Sequence, residues 1–463
     1  MNEGRGLGWV LTAFFIVADM VGGGVVAIPV AFLDTGLVAG VILMVSICLV
    51  FAYTAELLGE NWVIMQERWP QYRSYCRKPY PEMALRSMGP MMKKFTAIAV
   101  YATLFGTAIV FILLSSNTIS HVLASVLGVR IGFCYMISVM CFAILPLTYL
   151  KSPADFWLVV LVACSCTIFA VGLITVGVIS DMSACLPEVH YPPFSGVGAL
   201  VSMGMILFAF SGHHVFPTIQ HDMRRPKDFS KSVLLGFLVV ATLYMPLSVF
   251  GYIVYGESMH NSIINSVQTP WIRHAANLTI AIHCILALII IANPIMQQAE
   301  ETLNAPHTFG VTRVIIRTCV LGCMWLCALT VPDFGPFMDL VGATTTPLIS
   351  VILPCAFNLY FTSSKFNSKT QQYDIATIPQ IIRRTSPIKL LWNTLIMSVA
   401  ICGGLVSAYM ALLQIATVKF TPPCYLRPFF DFKETPREAG FLNCCGVNKN
   451  ILINVNSSDI CRM

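Results

Sequence analysis

Long apolar segments separated by short polar ones repeat along the chain as far as about residue 417. A helix that crosses a bilayer needs about 20 mainly apolar residues, and the segments have that length. The pattern predicts an all-α polytopic membrane protein with about 11 transmembrane helices. The predicted spans are residues 9–31, 37–58, 95–122, 131–149, 155–180, 197–219, 232–254, 274–296, 311–331, 336–361 and 391–417.

The composition excludes a soluble domain and a disordered chain. Hydrophobic residues make up 57% of the 463 residues, and charged residues make up only 11%. Soluble domains usually contain about 25% charged residues, and disorder requires low hydrophobicity. The lipid bilayer is therefore the expected partner of most of the surface.

Lysine and arginine are concentrated in three predicted loops, which lie on one side of the membrane if there are eleven spans. These loops are residues 59–94, 220–231 and 362–390. The short loops of the other side contain only Arg130 and Arg273. Because basic loops stay cytosolic, we expect residues 1–8 in the cytosol and the tail, residues 418–463, outside the cell or in a lumen. No block of basic residues is present, so nucleic acid is not an expected partner.

The tail has the features of a non-cytosolic segment, because it contains cysteines and the glycosylation sequon at Asn456. Cys185, in the loop after the fifth predicted span, faces the same side and is a candidate to pair with one of the tail cysteines, but the connectivity cannot be read from the sequence. Cysteines inside the apolar segments are expected to be packing residues, and without a C-x-x-C pair no metal site is predicted. The tail cysteines are Cys424, Cys444, Cys445 and Cys461.

The first predicted span disfavours a continuous helix. It contains Gly22, Gly23 and Gly24 in succession, followed by Pro29. Each glycine costs a helix about 1 kcal/mol relative to alanine, and proline removes a backbone donor. Small residues on one face are typical of close helix packing, but three adjacent glycines extend around most of a turn. We therefore predict a break here.

The sixth predicted span also has polar and helix-breaking residues near its middle. Ser211, Gly212, His213 and His214 occur together, and Pro217 follows. Polar groups at that depth are costly and are usually functional. The two predicted breaks are five spans apart, the spacing of transporters built from inverted repeats. We predict a five-plus-five inverted-repeat core in which helices 1 and 6 are broken.

Two such breaks are suited to a zwitterion. Unwinding leaves N–H groups free on one half-helix and C=O groups free on the other; the first favour a carboxylate and the second an ammonium group. Phe208 and Phe210 are either lids over the substrate or, as is commoner for aromatic residues in a span, contacts with lipid or core. The predicted substrate-binding residues are Gly22, Gly23, Gly24, Phe208, Ser211, Gly212 and His213.

The residues around both breaks resemble the amino acid/auxin permease family. That family typically begins with a Val-Gly-x-Gly stretch and then a hydrophobic-Pro-x-Ala pattern, which are residues 21–24 and 28–31 here. The sixth span is more specific, with Phe-Ala-Phe-x-Gly-His-x-Val-Phe-Pro-Thr-Ile-Gln at residues 208–220. The resemblance covers about residues 9–417. It implies that this segment is a transporter domain with a five-plus-five core, an eleventh helix and secondary active transport of amino acids.

The coupling ion is indicated by departures from the family. Sodium-coupled members resemble one another in an asparagine and a hydroxyl residue at two positions that are Ala18 and Ala292 here. Neither alanine offers a side-chain oxygen, so a proton is expected and sodium is disfavoured. Asp19 is the candidate proton carrier, because ionisable residues inside a membrane are usually functional. Two alternatives stay open for Asp19: a carboxylate that accepts hydrogen bonds from freed N–H groups and never titrates, and a direct substrate ligand.

Two histidines of the predicted spans differ in their expected roles. His213 matches the family motif, so a structural or gating role near the break is expected beside its place among the substrate-binding candidates. His283, in the eighth span, is more typical of a core hydrogen bond than of a site.

Two classes of function fit these observations and a third does not. The first is a secondary transporter that moves small neutral amino acids by alternating access, coupled to protons, in the plasma membrane or an endolysosomal membrane. The second is an amino acid sensor on the same fold, although sensors usually carry a cytosolic extension and residues 1–8 are short. An enzyme is not expected, because no P-loop, H-E-x-x-H or G-x-S-x-G motif is present, and no cofactor is predicted.

Overall fold

The computed structural model describes residues 6–74, 76–149, 156–305, 310–418, 422–429 and 443–452. The described chain is mostly α-helical, with one small hairpin. The helices are α1 Trp9–Met20, α2 Gly23–Thr35, α3 Leu37–Arg68, α4 Pro79–Met88, α5 Pro90–Val126, α6 Phe133–Thr148, α7 Phe156–Cys185, α8 Gly196–Ala209, α9 Phe216–His221, α10 Phe229–Tyr255, α11 Ile263–Ser266, α12 Pro270–Thr302, α13 Val311–Thr330, α14 Phe334–Pro347, α15 Leu353–Ser363, α16 Ile378–Arg384 and α17 Pro387–Leu413. The hairpin pairs β1 Phe366–Asn367 with β2 Gln372–Tyr373 in antiparallel register.

Shorter helical turns join some of these elements. Segments of π-helix connect α14 to α15 and extend α17, and the remaining turns are 3-10 helices. The π-helical segments are Leu348–Ile352 and Gln414–Val418, and the 3-10 helices are Pro70–Arg73, Leu186–Glu188, Pro226–Asp228, Gly256–Ser258 and Arg427–Phe429.

Among the described residues, eight helical segments are long and apolar enough to cross a membrane. They contain α3, α5, α7, α10, α12, α13, α14 with α15, and α17. Helices α1 and α2 pass the same test only together, as one span bent by 56°. Two shorter apolar helices, α6 and α8, occupy the predicted fourth and sixth spans. The prediction of a mostly helical multi-pass membrane protein is confirmed, and the count of eleven spans stays a prediction.

The second span was predicted to end at residue 58, but α3 continues to Arg68. The apolar pattern stops because polar residues begin to alternate with apolar ones. The helix continues because its polar face binds α15: the Asn61 amide donates to the Pro354 carbonyl (3.0 Å), and the Asn358 amide donates to Asn61 Oδ1 (2.9 Å). Helix length here is decided by a tertiary contact and not by hydropathy.

The three basic loops meet at one end of the helix bundle. The backbone N–H of Cys76 donates to His221 Nε2 (3.3 Å), which joins the first loop to the second. The Trp69 and Tyr373 rings lie 5.5 Å apart between centroids, which joins the first loop to the third. This arrangement agrees with the prediction that the three loops share one side.

Two disulfides tie parts of the tail to the other end of the bundle. Cys185 is bonded to Cys445, which is one of the tail pairings that the sequence left open. Cys134 is bonded to Cys424, and its expected role as a packing residue in an apolar segment is wrong. Cys134 is the second residue of α6, so it lies at a helix end that the tail can reach. The predicted glycosylation site at Asn456 lies outside the described residues.

Helix packing brings the two interrupted segments to the middle of the bundle. Helix α2 packs against α8, and α10 packs against α1, α2 and α3. Helix α12 packs against α5 and α7. Gly22 and Gly212 are consequently both buried.

Candidate substrate site at two helix breaks

The first break is short and consists of backbone. Helix α1 ends at Met20 and α2 begins at Gly23, so Val21 and Gly22 alone are outside the helices. The predicted interruption is confirmed, although Gly23 and Gly24 form the first turn of α2. As the first two residues of a helix, they have N–H groups without partners inside it. The break therefore presents backbone donors at the start of α2 and carbonyl groups at the end of α1.

The second break is longer. Helix α8 ends at Ala209 and α9 begins at Phe216. Irregular turns connect them, in which the Ser211 N–H donates to the Phe208 carbonyl (3.0 Å) and the Val215 N–H donates to the Gly212 carbonyl (3.1 Å). The predicted interruption of the sixth span is confirmed.

The two breaks are in contact. A β-carbon built on Gly24 would lie 2.5 Å from the Ala209 β-carbon, so the start of α2 packs directly on the end of α8. A β-carbon built on Gly212 would lie 2.8 Å from Asp19 Oδ2. The Asp19 side chain of the first broken span therefore lies over the backbone of the second. Its Oδ2 atom is buried and has no hydrogen-bond partner in the part of the chain that the structure describes.

Tyr244 joins the two breaks from a third helix. Its hydroxyl, on α10, donates to the Met20 carbonyl (2.7 Å) and lies 3.2 Å from the Ala209 carbonyl. These are the last residues of α1 and α8, so one side chain contacts the C-terminal ends of both half-helices. The Tyr244 ring packs edge-on against Phe210 at 5.4 Å. No pattern in the sequence distinguished this tyrosine from other aromatic residues of the spans.

His213 fixes the second break to α3. Its Nε2 atom lies 3.1 Å from both the Phe51 carbonyl and Thr54 Oγ1. Its ring also contacts Phe51 (5.4 Å) and Phe216 (5.0 Å). These contacts agree with the expected structural role near the break. They direct Nε2 toward α3, and not toward the first break.

Some of the remaining polar and aromatic residues lie at the second break, and others pack against neighbouring helices. Ser211 Oγ and both ring nitrogens of His214 are buried without a hydrogen-bond partner among the described residues. Phe208 lies against α14, since a β-carbon on Gly342 would be 2.9 Å from that of Phe208. Phe210 is fully buried. Among the predicted site residues, the unpartnered polar atoms are Asp19 Oδ2, Ser211 Oγ and His213 Nδ1.

This arrangement has the chemistry of a zwitterion site. Free N–H groups at the start of α2 favour a carboxylate, and carbonyl groups at the end of α1 favour an ammonium group. In the described ranges, no group of three or more His, Cys, Asp or Glu side chains is arranged to hold a metal ion. Backbone groups, Asp19 and the second break thus provide the polar surface.

A multi-pass helical membrane protein with two discontinuous helices in contact belongs, by its fold, with transporters that have broken helices. The solved inward-facing structure of Mhp1 has a similar fold, with a TM-score of 0.53 and 11% sequence identity. The similarity covers 93% of this chain and 96% of that one. At this identity it defines the fold alone.

The family follows from the sequence. Residues 5–398 match the family described as transmembrane amino acid transporter protein, and the chain belongs to that family. The match includes both breaks, so the resemblance to amino acid permeases is confirmed.

Several plant proteins are similar over most of this chain. Amino acid transporter AVT1C of Arabidopsis thaliana is 24% identical over 352 residues, which are 73% of this chain and 58% of that protein. Amino acid transporter AVT1J is 24% identical, with coverage of 79% and 85%. Lysine histidine transporter-like 1 is 24% identical, with coverage of 77% and 81%. The chain spans about three-fifths of the length of AVT1C and AVT1B.

Proposed function

We propose that this chain is a secondary active transporter that moves small neutral amino acids across a membrane by alternating access. The observation that carries the proposal is the contact between the two breaks, where Tyr244 bonds the ends of α1 and α8. Two half-helices that meet in this way place backbone donors and acceptors at one point, which matches the two charges of an amino acid. The names of the relatives support amino acids in general as the substrate.

Small neutral substrates are favoured by the shape and charge of the site. Gly22, Gly23 and Gly24 leave the backbone bare, but Gly24 packs directly on Ala209. Asp19 is the acidic side chain that contacts the second break. Because Asp19 is the proposed proton carrier, we assign it no role in binding a charged substrate side chain, and a neutral substrate fits the site.

The proposed orientation places the basic loops in the cytosol and the disulfide-bonded end outside the cell or in a lumen. The three basic loops meet at one end of the bundle, and Cys185–Cys445 and Cys134–Cys424 are at the other. Disulfides persist in oxidising compartments, which supports this orientation. The plasma membrane and an endolysosomal membrane both satisfy it.

The test is uptake by the purified full chain in lipid vesicles. Labelled amino acids are supplied as a panel with an inward proton gradient, with the gradient collapsed, and with a sodium gradient. We expect uptake of small neutral amino acids that falls when the proton gradient is collapsed and does not require sodium. Binding without uptake would favour the amino acid sensor, and neither binding nor uptake across the panel would contradict both.

Asp19 is the proposed proton carrier. Its Oδ2 atom is buried against Gly212 without a partner in the described structure, and Asp19→Asn removes the titration while preserving size. We expect the variant to retain exchange of amino acid across the membrane and to lose the response to the proton gradient. The matched control is Asp34→Asn on α2, since Asp34 accepts a hydrogen bond from Ser202 (2.7 Å) away from the breaks. An unchanged proton response in Asp19→Asn would remove this role from Asp19.

A further inference from the structure

His283 of α12 is buried beside the first break and only half of its imidazole has protein partners. The residue is 1% exposed. Its Nδ1 atom lies 2.7 Å from Thr167 Oγ1 and 3.0 Å from the Ala163 carbonyl, both on α7. The core hydrogen bond expected from the sequence is therefore present, but it involves one nitrogen.

The partners of Nδ1 determine where the ring proton lies. A carbonyl oxygen can only accept, and the Thr167 hydroxyl donates its own proton to the same Ala163 carbonyl (3.0 Å). A lone pair on Nδ1 would face the Ala163 carbonyl oxygen at 3.0 Å, so we assign the ring proton to Nδ1, where it can be donated to both partners. In the neutral ring the other nitrogen, Nε2, then has a lone pair and is an acceptor.

Nε2 points at the backbone of the first break. A β-carbon built on Gly22 would lie 3.0 Å from Nε2 and 3.1 Å from the Phe111 ring. Phe111 packs edge-on against the imidazole at 6.1 Å. Within the described residues Nε2 has no hydrogen-bond partner. A buried acceptor without a donor is costly, so a ligand that brings a donor to this point is stabilised.

The chemistry of Nε2 selects the part of an amino acid that it contacts. The carboxylate has only acceptor oxygens, whereas the ammonium group has three N–H donors. Carbonyl groups at the end of α1, which ends two residues before Gly22, attract the same group. We infer that His283 Nε2 accepts a hydrogen bond from the ammonium group of the transported amino acid at the first break. This inference rests on the proposed function.

The test compares substrates with and without N–H donors. In vesicles containing the full chain, the KM of a transported amino acid is measured, and its N,N,N-trimethyl derivative is tested as a competitor in wild type, His283→Leu and His283→Gln. We expect His283→Leu to raise the KM about tenfold, with a smaller effect on the maximal rate. The wild type's preference for the amino acid over the trimethyl derivative should fall by a similar factor. His283→Gln retains an acceptor and should restore part of that preference.

The matched control is His274→Leu, which makes the same change on the same helix away from the break. We expect it to keep the wild-type KM and preference. Gly22→Ala, whose new methyl group would lie against Nε2, should also raise the KM. Gly22→Ala and His283→Gln provide the test if His283→Leu does not fold.

Two results would overturn the assignment. They are an unchanged preference for the amino acid over the trimethyl derivative in His283→Leu, and an unchanged KM in Gly22→Ala. If wild-type vesicles neither bind nor transport any amino acid of the panel, the proposed function itself fails. Measurements on the wild type alone therefore distinguish failure of the proposed function from failure of the His283 assignment.

Discussion

The first break is stabilised by close packing of its backbone on α8, and the second break is stabilised by hydrogen bonds from side chains. At the first, only Val21 and Gly22 leave the helix, and Gly24 lies directly on Ala209. At the second, the irregular chain extends from Phe210 to Val215. Glycine is required where two backbones touch, whereas a longer irregular segment needs polar anchors for its free groups.

The anchors of the second break come from different helices. His213 bonds α3 through Phe51 and Thr54, and Tyr244 of α10 bonds the end of α8. Tyr244 is also the polar side chain that bonds the end of α1. The two breaks thus differ in construction but share one hydroxyl group, so changes at Gly24, Tyr244 and His213 should have distinguishable consequences.

The largest effect is expected from Gly24→Ala. The added methyl group would lie 2.5 Å from the Ala209 β-carbon and 2.7 Å from its Cα, which is backbone and cannot rotate away. We expect amino acid uptake in vesicles to fall at least about 100-fold, because overpacking a close contact forces backbone shifts.

Two other glycine-to-alanine variants are controls for Gly24→Ala. The nearest atoms to a β-carbon on Gly23 would be side-chain atoms of Leu114, Val110 and Met338, at 3.4 to 3.5 Å, and the loss in Gly23→Ala should be much smaller. A β-carbon on Gly322, on α13, would have nothing within 4 Å, and Gly322→Ala should resemble wild type. Equal losses for Gly24→Ala and Gly23→Ala would contradict the close packing of the breaks.

Tyr244→Phe should have the next largest effect. It removes the hydroxyl shared by the Met20 and Ala209 carbonyls, and a buried group left without its partner costs about 1–3 kcal/mol. We expect uptake to fall about tenfold, since 1.4 kcal/mol corresponds to a factor of ten. Tyr252→Phe on the same helix is the control, because the Tyr252 ring stacks on Tyr191 away from the breaks. A Tyr244→Phe protein with wild-type uptake would show that the hydroxyl does not join the breaks.

The smallest difference is expected between two adjacent histidines, and it concerns stability. His213→Leu removes the contacts with Phe51 and Thr54 and should lower the free energy of unfolding by about 1–3 kcal/mol. His214 is also buried, but neither ring nitrogen has a partner in the described chain. His214→Leu should therefore leave the melting temperature in detergent close to wild type. Equal decreases for the two variants would mean that His213 is not the anchor of the break.

The elements predicted correctly depend on signals that are local in the sequence. Consecutive glycines indicated the first break, and the polar cluster at residues 211–214 indicated the second. The apolar segments indicated the spans, except where Asn61 of α3 binds α15 and extends the helix past the hydropathy boundary. The pairing of Cys134 with Cys424 could not be predicted, because the residues around Cys134 are apolar and do not indicate that a tail cysteine lies nearby.

The sequence by itself determined that the chain is a membrane protein, where two of its helices are interrupted, and which family it belongs to. Hydropathy and helix propensity depend on residues that are close together in the sequence, so they can be assessed without a structure. Only the tertiary structure decided that Tyr244 bonds the ends of both broken helices, that His213 bonds α3, and that His283 presents one nitrogen to Gly22. The residues in each of these contacts are separated by more than a hundred positions or lie on different helices, and the specificity of such contacts depends on the packing of the whole bundle.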